Sequence, residues 1–205
     1  MTRITADISM SLDGFVTGPD PGPKNGLGNG GEALHIWAFS DDPDDRHIVS
    51  ESTARSGAVV LGRHLFDIVD GPGGWNDDVG YGAQEVGKPA FIVVTSSPPA
   101  SVRLSDLDWT FITTGVQDAI TSARRRAEDA SGASGVDLDV VLMGGGTVIG
   151  SAFAAGLLDV LTVHLAPVVL GCGTPLFTSD TPRTALKQLS LIQTPNATHL
   201  TCAVG

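Results

Sequence analysis

The amino-acid sequence predicts an α/β domain: a mostly parallel sheet of about eight strands with flanking helices and an antiparallel hairpin at the C-terminal end. Strand-like runs alternate with helix-like segments along most of the chain, as a parallel sheet with right-handed crossovers requires. The last two strand-like runs are joined by residues 194–196, too few for a helix, so we expect them to pair antiparallel. A length of 205 residues with 41 % hydrophobic residues suits one domain, residues 1–205.

Short apolar and β-branched runs predict the strands, in chain order 3–12, 57–62, 89–96, 109–113, 137–144, 160–171, 185–194 and 197–204. Helices are predicted between several of them. Residues 41–56 begin with an acidic turn, which favours a helix N-terminus. Segments 115–131 and 147–159 carry apolar residues at helical spacing, and in the first these are Ala119, Ile120, Ala123 and Ala127.

Two long stretches, residues 18–31 and 70–84, are rich in glycine and fit no regular element. Loops of this length in a compact domain are usually either functional lids or disordered segments, and the sequence leaves both interpretations open.

Composition excludes several classes of function. A net charge of −11 argues against binding of nucleic acid by the whole surface. No apolar run approaches the roughly 20 residues that span a bilayer, and the first residues lack the apolar core of a secretory signal. Two cysteines without zinc-site spacing predict neither a metal site nor a disulfide framework. We therefore expect a cytoplasmic protein that acts on a small molecule.

The most informative motif lies in residues 139–153, where a strand runs into Gly144, Gly145 and Gly146 and a helix follows. The first N–H groups of a helix are unpaired and the helix dipole is positive there, so such a junction suits a phosphate. Thr147 adds a hydroxyl. The spacing is not GxGxxG, because Ile149 occupies the last glycine position. A tight turn without a ligand is the alternative.

Two further strand ends are predicted to face the same crevice, because ligands of α/β sheets lie at the carboxyl ends of the strands. Gly62, Arg63 and His64 follow one strand, and an arginine there suits a phosphate. Ser96 and Ser97 end the next strand with two hydroxyls. The alternatives are a solvated arginine and a simple Ser-Pro turn.

Asp13-Gly14 after the first strand predicts a turn, with Asp13 as an alternative site carboxylate. Four histidines, His35, His47, His164 and His199, show no metal-ligand spacing, and the sequence assigns them no role.

Together these motifs resemble the dihydrofolate reductase fold family, and more narrowly its branch that contains the reductase domain of riboflavin biosynthesis. The similarity is carried by residues 9–18, by 59–69, and most specifically by 140–177 with its glycine loop, "GLLD" turn, "HLAP" strand and G-x-G-x-P-L-F ending. The resemblance implies a single dihydrofolate reductase-like domain that binds NADPH. It places Gly62, Arg63 and His64 at the adenosine phosphate, Ser96 near the ribose 2′-phosphate, and the diphosphate on Gly144, Gly145, Gly146, Thr147, Val148 and Ile149.

The sequence also departs from the family pattern. Dihydrofolate reductases carry one acid on the first helix, and here Asp44 and Asp45 lie only near the matching place, where they also suit the helix dipole. The family's Trp-Glu after Gly-Arg is replaced by Phe66 and Asp67. A deaminase zinc motif is missing from the sequence, so we expect no bifunctional riboflavin enzyme.

The resemblance thus predicts an NADPH-dependent reductase that transfers a hydride to a small pterin-, pyrimidine- or folate-like heterocycle. Asp13 and Asp45 are the candidate catalytic acids, and Trp37 and Phe66 are the candidates for stacking on the substrate. Residues 18–31 are expected to cover the site. Homodimers are common in this branch and twofold dimers are the commonest assembly, so we expect a homodimer. The alternative is a protein that binds NADPH or a pterin-like ligand without turnover.

Overall fold

The computed structural model describes residues 1–76, 79–81 and 88–205. Its α-helices there are α1 (Pro43–Ala54), α2 (Arg63–Val69), α3 (Val116–Ser134) and α4 (Gly146–Ala154). Two short 3-10 helices, Gly31–His35 and Trp37–Phe39, precede α1. The strands are β1 (Ile4–Ser11), β2 (Phe15–Thr17), β3 (Ser56–Gly62), β4 (Ala90–Val94), β5 (Trp109–Ile112), β6 (Asp139–Gly144), β7 (Val160–Ala166), β8 (Thr174–Pro175), β9 (Leu186–Gln193) and β10 (Thr198–Val204).

Eight strands form one sheet in the order β5-β4-β3-β6-β1-β7-β10-β9. The first six of these strands pair parallel, whereas β10 pairs antiparallel with both β7 and β9. The predicted α/β fold with a mostly parallel sheet and an antiparallel C-terminal hairpin is therefore confirmed. The small β2–β8 pair was not predicted, because strands of three and two residues are too short to show a pattern.

Apolar side chains cover both faces of the parallel part of the sheet. On one face α3 buries Ala119, Ile120, Ala123 and Ala127, the stripe predicted from its spacing, and α4 packs beside it. On the other face α2 packs Phe66 and Val69 against β3 and β4. Successive residues of a strand point to opposite faces of the sheet. In β1, the side chains that do not pack against these helices are therefore available for polar contacts.

Three strands carry polar residues on the face away from α3 and α4. Register pairs Ser9 of β1 with His164 of β7, and His164 with His199 of β10. The next row along the same strands contains Asp7, Thr162 and Thr201. A polar stripe therefore runs across β1, β7 and β10 beneath α1 and the short 3-10 helices.

Among the helices that the structure describes, none combines the length and the apolar character needed to cross a bilayer.

Candidate functional site

A cavity of about 990 Å³ opens at the carboxyl ends of β1 and β6. Its wall continues over the start of α2, the two 3-10 helices and the residues around Trp75. Residues 24–28, within the predicted covering segment 18–31, line one side of it. Of the second long stretch, residues 77–78 and 82–87 lie outside the described residues, and Gly73, Gly74 and Val79 line the cavity. The cavity is the largest of the described pockets and lies where α/β sheets bind ligands.

The three consecutive glycines are needed for two different physical reasons, backbone conformation and close packing. Gly144 and Gly145 have φ values of 143° and 50°, which residues with side chains rarely adopt. A Cβ atom on Gly146 would lie 2.8 Å from the carbonyl oxygen of Pro175 in β8, so this glycine allows close backbone packing. A Cβ atom on Gly145 would meet nothing within 4 Å, because this residue borders the cavity. The loop is thus a turn that also leaves open space beside its backbone.

Helix α4 begins directly after this loop, and no side chain caps its N-terminus. The N–H groups of Val148 and Ile149 already donate to the carbonyl of Gly145, at 2.9 and 3.2 Å, and both side chains are buried in the core. Gly146 and Thr147 precede these first intrahelical donors, so their N–H groups are the ones available to a ligand. Of the predicted phosphate loop, Gly144 and Gly145 line the cavity, whereas the side chains of Val148 and Ile149 lie in the core.

The ends of β3 and β4 come together as predicted from their order in the sheet. The Arg63 guanidinium donates to the Ser97 carbonyl and to the Asp67 carboxylate, both at 2.7 Å. A Cβ on Gly62 would lie 3.0 Å from a methyl group of Val148, so the β3 end also abuts α4. His64 lines the cavity, and the exposed Ser96 adjoins Ser97 at the β4 end. The predicted cofactor residues therefore share one edge of the sheet.

The two predicted stacking residues lie in different environments. Trp37 lines the cavity, its indole N–H donates to the Ser9 hydroxyl at 2.9 Å, and its ring lies 4.1 Å from that of His164. Phe66 is only 1 % exposed and packs edge-on against Trp109 and Phe111, away from the cavity wall. Trp37 is itself only 5 % exposed but borders the cavity, whereas Phe66 lies in the core away from it.

Asp13 lies in the turn after β1 and outside the cavity lining. Its carboxylate accepts hydrogen bonds from the backbone N–H groups of Leu170 and Gly171, at 3.1 and 2.7 Å. A hydrogen bond from Ser11, together with these two, lowers the pKa of Asp13 to about 2. An acid this strong stays ionised at neutral pH. Asp13-Gly14 forms a turn after β1, in which the Gly14 N–H donates to the Ser11 carbonyl at 3.0 Å, and the Asp13 carboxylate additionally holds the 170–171 backbone.

Asp45 is fully buried and also lies outside the cavity lining. The α1 cap is Asp42, whose carboxylate accepts from the backbone N–H groups of Asp44 and Asp45. The Asp45 side chain instead accepts from Ser40 and Asn196, both at 2.7 Å, and contacts His199 at 3.0 Å. Burial raises the pKa of Asp45, but these hydrogen bonds outweigh it and hold the pKa below its ordinary value. Asp45 is therefore an internal anion rather than an acid at the cavity.

Three residues near the cavity were missed by sequence reasoning. Asp7 lines the cavity and contacts the buried His164, which in turn contacts His199. The available signal was a polar residue at every second position of three strands, which is unusual in a sheet with helices over it. Metal-ligand spacing was the wrong criterion for these histidines, because they meet across strands.

His35 supplies a further polar atom in the cavity wall. Its ring nitrogen Nδ1 is buried without a hydrogen-bond partner among the described residues. Burial, assisted by the nearby His164, lowers the pKa of His35 to about 4, so the ring is neutral at neutral pH. Buried polar atoms are rarely left unpaired, so a neutral imidazole here is suited to hydrogen-bond a ligand.

The model of the family described as the RibD C-terminal domain matches residues 2–200. A riboflavin biosynthesis protein from a Shewanella species superposes with a TM-score of 0.68 at 17 % identity, over 100 % of this chain and 99 % of the other. A Thermotoga maritima deaminase/5-amino-6-(5-phosphoribosylamino)uracil reductase gives 0.61 at 14 % identity, over 100 % and 57 %.

Dihydrofolate reductase from Enterococcus faecalis, solved with NADP(H), gives a TM-score of 0.55 at 15 % identity, over 99 % of this chain and 96 % of the other. No match is found among the curated proteins. At these identities the solved structures establish the dihydrofolate reductase-like fold.

Proposed function

The chain belongs to the RibD C-terminal domain family, and from that premise we propose that it is an NADPH-dependent reductase of a small pterin-, pyrimidine- or folate-like heterocycle. The observation that carries the proposal is the cavity, which brings the glycine loop, the start of α2 and Trp37 together at the carboxyl edge of the sheet. Relatives of the same fold include a uracil-derivative reductase and a dihydrofolate reductase bound to NADP(H), which supports this class of reaction.

The residues present fit a dinucleotide phosphate. Open space beside Gly145 lets a diphosphate approach the main chain, and the uncapped α4 N-terminus offers N–H donors to it. Arg63 lies one strand away with its guanidinium partly exposed, and would hold the 2′-phosphate with the Ser96 hydroxyl. When bound, the nicotinamide supplies a hydride. The protein holds cofactor and substrate in reacting orientation and excludes water from the cavity.

The other side of the cavity suits a flat polar ring. Trp37 offers an aromatic surface, and its position is fixed because its N–H is held by Ser9. His35 lies in the same wall, and its Nδ1 is buried without a hydrogen-bond partner among the described residues, so a small movement of the ring would offer it to a ligand. An aromatic surface beside a single directional polar atom recognises a heterocycle by both its area and the position of its nitrogen or oxygen atoms.

One observation favours a second candidate, a protein that binds NADPH without turnover. Neither Asp13 nor Asp45, the acids predicted from the sequence, lines the cavity. A reductase of C=N or C=O bonds also needs a proton source. A residue that supplies this proton would favour the reductase over the protein that only binds NADPH.

The test is to titrate the protein with NADPH in a calorimeter and then to follow NADPH oxidation with dihydrofolate and with a ribosylaminopyrimidine. Binding followed by oxidation supports the reductase. Binding of NADPH without its oxidation in the presence of either substrate supports the second candidate. No heat and no rise in melting temperature with NADPH would contradict both.

Replacing Arg63 with alanine is expected to weaken NADPH binding by about 1.5–3 kcal/mol, because a charge-assisted contact to the 2′-phosphate is lost. NADH lacks this phosphate, so its affinity should change little. Calorimetry with both cofactors measures the difference, and Arg125→Ala, on the exposed face of α3, is the matched control. Equal losses for NADPH and NADH would show that Arg63 does not contact the 2′-phosphate.

We further propose that the chain forms a homodimer through β9, the edge strand of the sheet. All eight residues of β9 are exposed, and four are aliphatic: Leu186, Leu189, Leu191 and Ile192, each at least 40 % exposed. Edge strands with exposed apolar side chains readily pair with another chain. Sedimentation should therefore show a dimer that Leu191→Lys dissociates while Lys187→Glu, on the same strand, leaves most of it intact. A wild-type monomer would contradict the proposal.

A further inference from the structure

Four side chains form one continuous hydrogen-bonded chain across the polar stripe of the sheet. The Asp45 carboxylate contacts His199 Nε2 at 3.0 Å, and the two histidines meet through their Nδ1 atoms at 2.7 Å. His164 Nε2 then contacts the Asp7 carboxylate at 3.0 Å. We call Asp7, His164, His199 and Asp45 the Asp-His chain.

Only one end of the Asp-His chain is accessible. The side chains of His164, His199 and Asp45 are at most 3 % exposed, whereas that of Asp7 is 24 % exposed. Asp7 borders the large cavity and also a second one of about 270 Å³, which lies between α1 and the sheet. A proton in the chain can therefore be exchanged with a ligand at Asp7, and with water through the smaller cavity.

Hydrogen-bond accounting shows how many protons the Asp-His chain holds. Each of its three contacts needs one proton, whereas two neutral imidazoles and two carboxylates supply only two. Two acceptor atoms held at hydrogen-bond distance with no proton between them repel each other. The geometry therefore requires one additional proton, and the four groups together carry one negative charge rather than two.

The inner end of the chain determines where this proton resides. Asp45 is held as an anion by Ser40 and Asn196, so His199 must donate its Nε2–H to it. Burial and the neighbouring His164 lower the pKa of His199, which keeps that ring neutral with Nδ1 as an acceptor. His164 then donates its Nδ1–H to His199. The third proton lies between His164 Nε2 and Asp7 Oδ1, at the end that borders the large cavity.

We propose that Asp7 is the proton donor of the reduction, supplied by the Asp-His chain. The inference rests on the proposed function. The hydride of NADPH forms a C–H bond at the carbon of a substrate C=N or C=O bond and leaves NADP⁺. The π electron pair of that bond moves to nitrogen or oxygen and takes the proton from Asp7. The chain is left with two protons, and water in the smaller cavity returns the third.

The adjacent row of the same strands provides an internal comparison. Thr162 of β7 and Thr201 of β10 occupy the next facing positions and contact each other through their hydroxyls at 3.3 Å. The same strand pair therefore accommodates an uncharged polar pair beside the two histidines. A purely structural role would not need titratable side chains at these positions. Thr201→Val is a matched control, because it removes a neighbouring polar contact and leaves the Asp-His chain unchanged.

Several other titratable groups face Asp7. His35 and Tyr81 interact electrostatically with it. Across the smaller cavity it is faced, among the described residues, by Arg3, Glu51, Arg55 and Asp139. Asp139 is paired with both Arg3 and Arg55, so this wall carries little net charge.

The first test counts protons without relying on turnover. Nitrogen-15 spectra of histidine-labelled protein at neutral pH should show His164 Nδ1 protonated and His199 Nδ1 unprotonated, with His164→Gln and His199→Gln identifying the signals. Asp7→Asn should leave His164 neutral with an unprotonated Nε2, because the asparagine amide then donates to it. Finding both Nδ1 atoms unprotonated in the wild type would overturn the third proton.

The second test measures NADPH oxidation with whichever of dihydrofolate or the ribosylaminopyrimidine the wild type reduces. Asp7→Asn should lower kcat about 100-fold and remove its pH dependence, because general acid catalysis contributes at this scale. The NADPH dissociation constant and the kcat of Thr201→Val should stay within about twofold of wild type, since neither depends on the donor of this general acid step. An active wild type whose Asp7→Asn variant keeps its kcat would overturn this inference alone. A wild type that reduces neither substrate would overturn the proposed function as well.

Discussion

Replacing Phe66 with alanine is expected to lower the free energy of unfolding by about 3–5 kcal/mol, the range for removing a large aromatic ring from a packed core. Phe66 is 1 % exposed and contacts the rings of Trp109 and Phe111 at centroid distances of 5.0 and 5.2 Å. The truncation removes these contacts and leaves a cavity between α2 and the sheet. Urea unfolding followed by tryptophan fluorescence measures the change.

The matched control for this substitution is Phe39→Ala. Phe39 is 72 % exposed, so its removal should change stability by no more than about 0.5 kcal/mol. If Phe66→Ala kept wild-type stability but raised the KM of the substrate, the ring would contact substrate as the sequence resemblance implied. A large loss of stability instead identifies Phe66 as part of the core.

The helical spacing around Phe66 already held the information that decides between these roles. Phe66 and Val69 are three residues apart on α2 and both are buried against β3 and β4. His64 and Ile68 are also spaced by one turn, and both line the cavity. Val69 borders the cavity as well, whereas Phe66 does not, so the buried face of the helix identifies Phe66 as a core residue more directly than matching an aromatic residue to a family position does.

The cofactor side of the site was more accessible to sequence reasoning. Gly62, Arg63, Ser96 and the glycine loop each lie at the carboxyl end of a strand, and the parallel pairing of β3 with β4 and β6 places these ends at one edge of the sheet. Local sequence position therefore fixes their place in the fold. Why each of these positions is a glycine could be explained only from the structure, because the close approach of Gly146 to Pro175 joins residues far apart in the chain.

The Asp-His chain could not be assembled from sequence for a related reason. His164 and His199 meet only because β7 and β10 pair in one particular antiparallel register, and a shift by one residue would turn either side chain to the opposite face. Asp7 reaches His164 from a third strand, 157 residues earlier. Alternating polarity in β1, β7 and β10 indicated a polar face, but pairing register alone determines which of these residues touch.

Replacing Asp45 with alanine is expected to lower the free energy of unfolding by about 3–5 kcal/mol, because three buried donors lose their acceptor and each unsatisfied donor costs about 1–3 kcal/mol. The substitution leaves Ser40, Asn196 and His199 without their common acceptor in a fully buried site. Asp44→Ala is the matched control, because Asp44 is the exposed neighbour of Asp45 on the same turn of α1. Urea unfolding at neutral pH measures both variants.

The difference in stability between wild type and Asp45→Ala should change with pH in the direction expected of a carboxylate that the fold keeps ionised. The pKa of Asp45 in the folded protein lies below the ordinary value of 3.8, so the folded state binds the proton less readily than the unfolded chain. Its stabilisation is therefore complete above the ordinary value and is lost as the pH falls through the lower, folded-state pKa. The gap in stability between wild type and Asp45→Ala should narrow below about pH 4. A gap that stayed constant through the acid range would show that ionised Asp45 does not stabilise the fold. A stably folded variant that lost only turnover would assign Asp45 to catalysis rather than to anchoring His199.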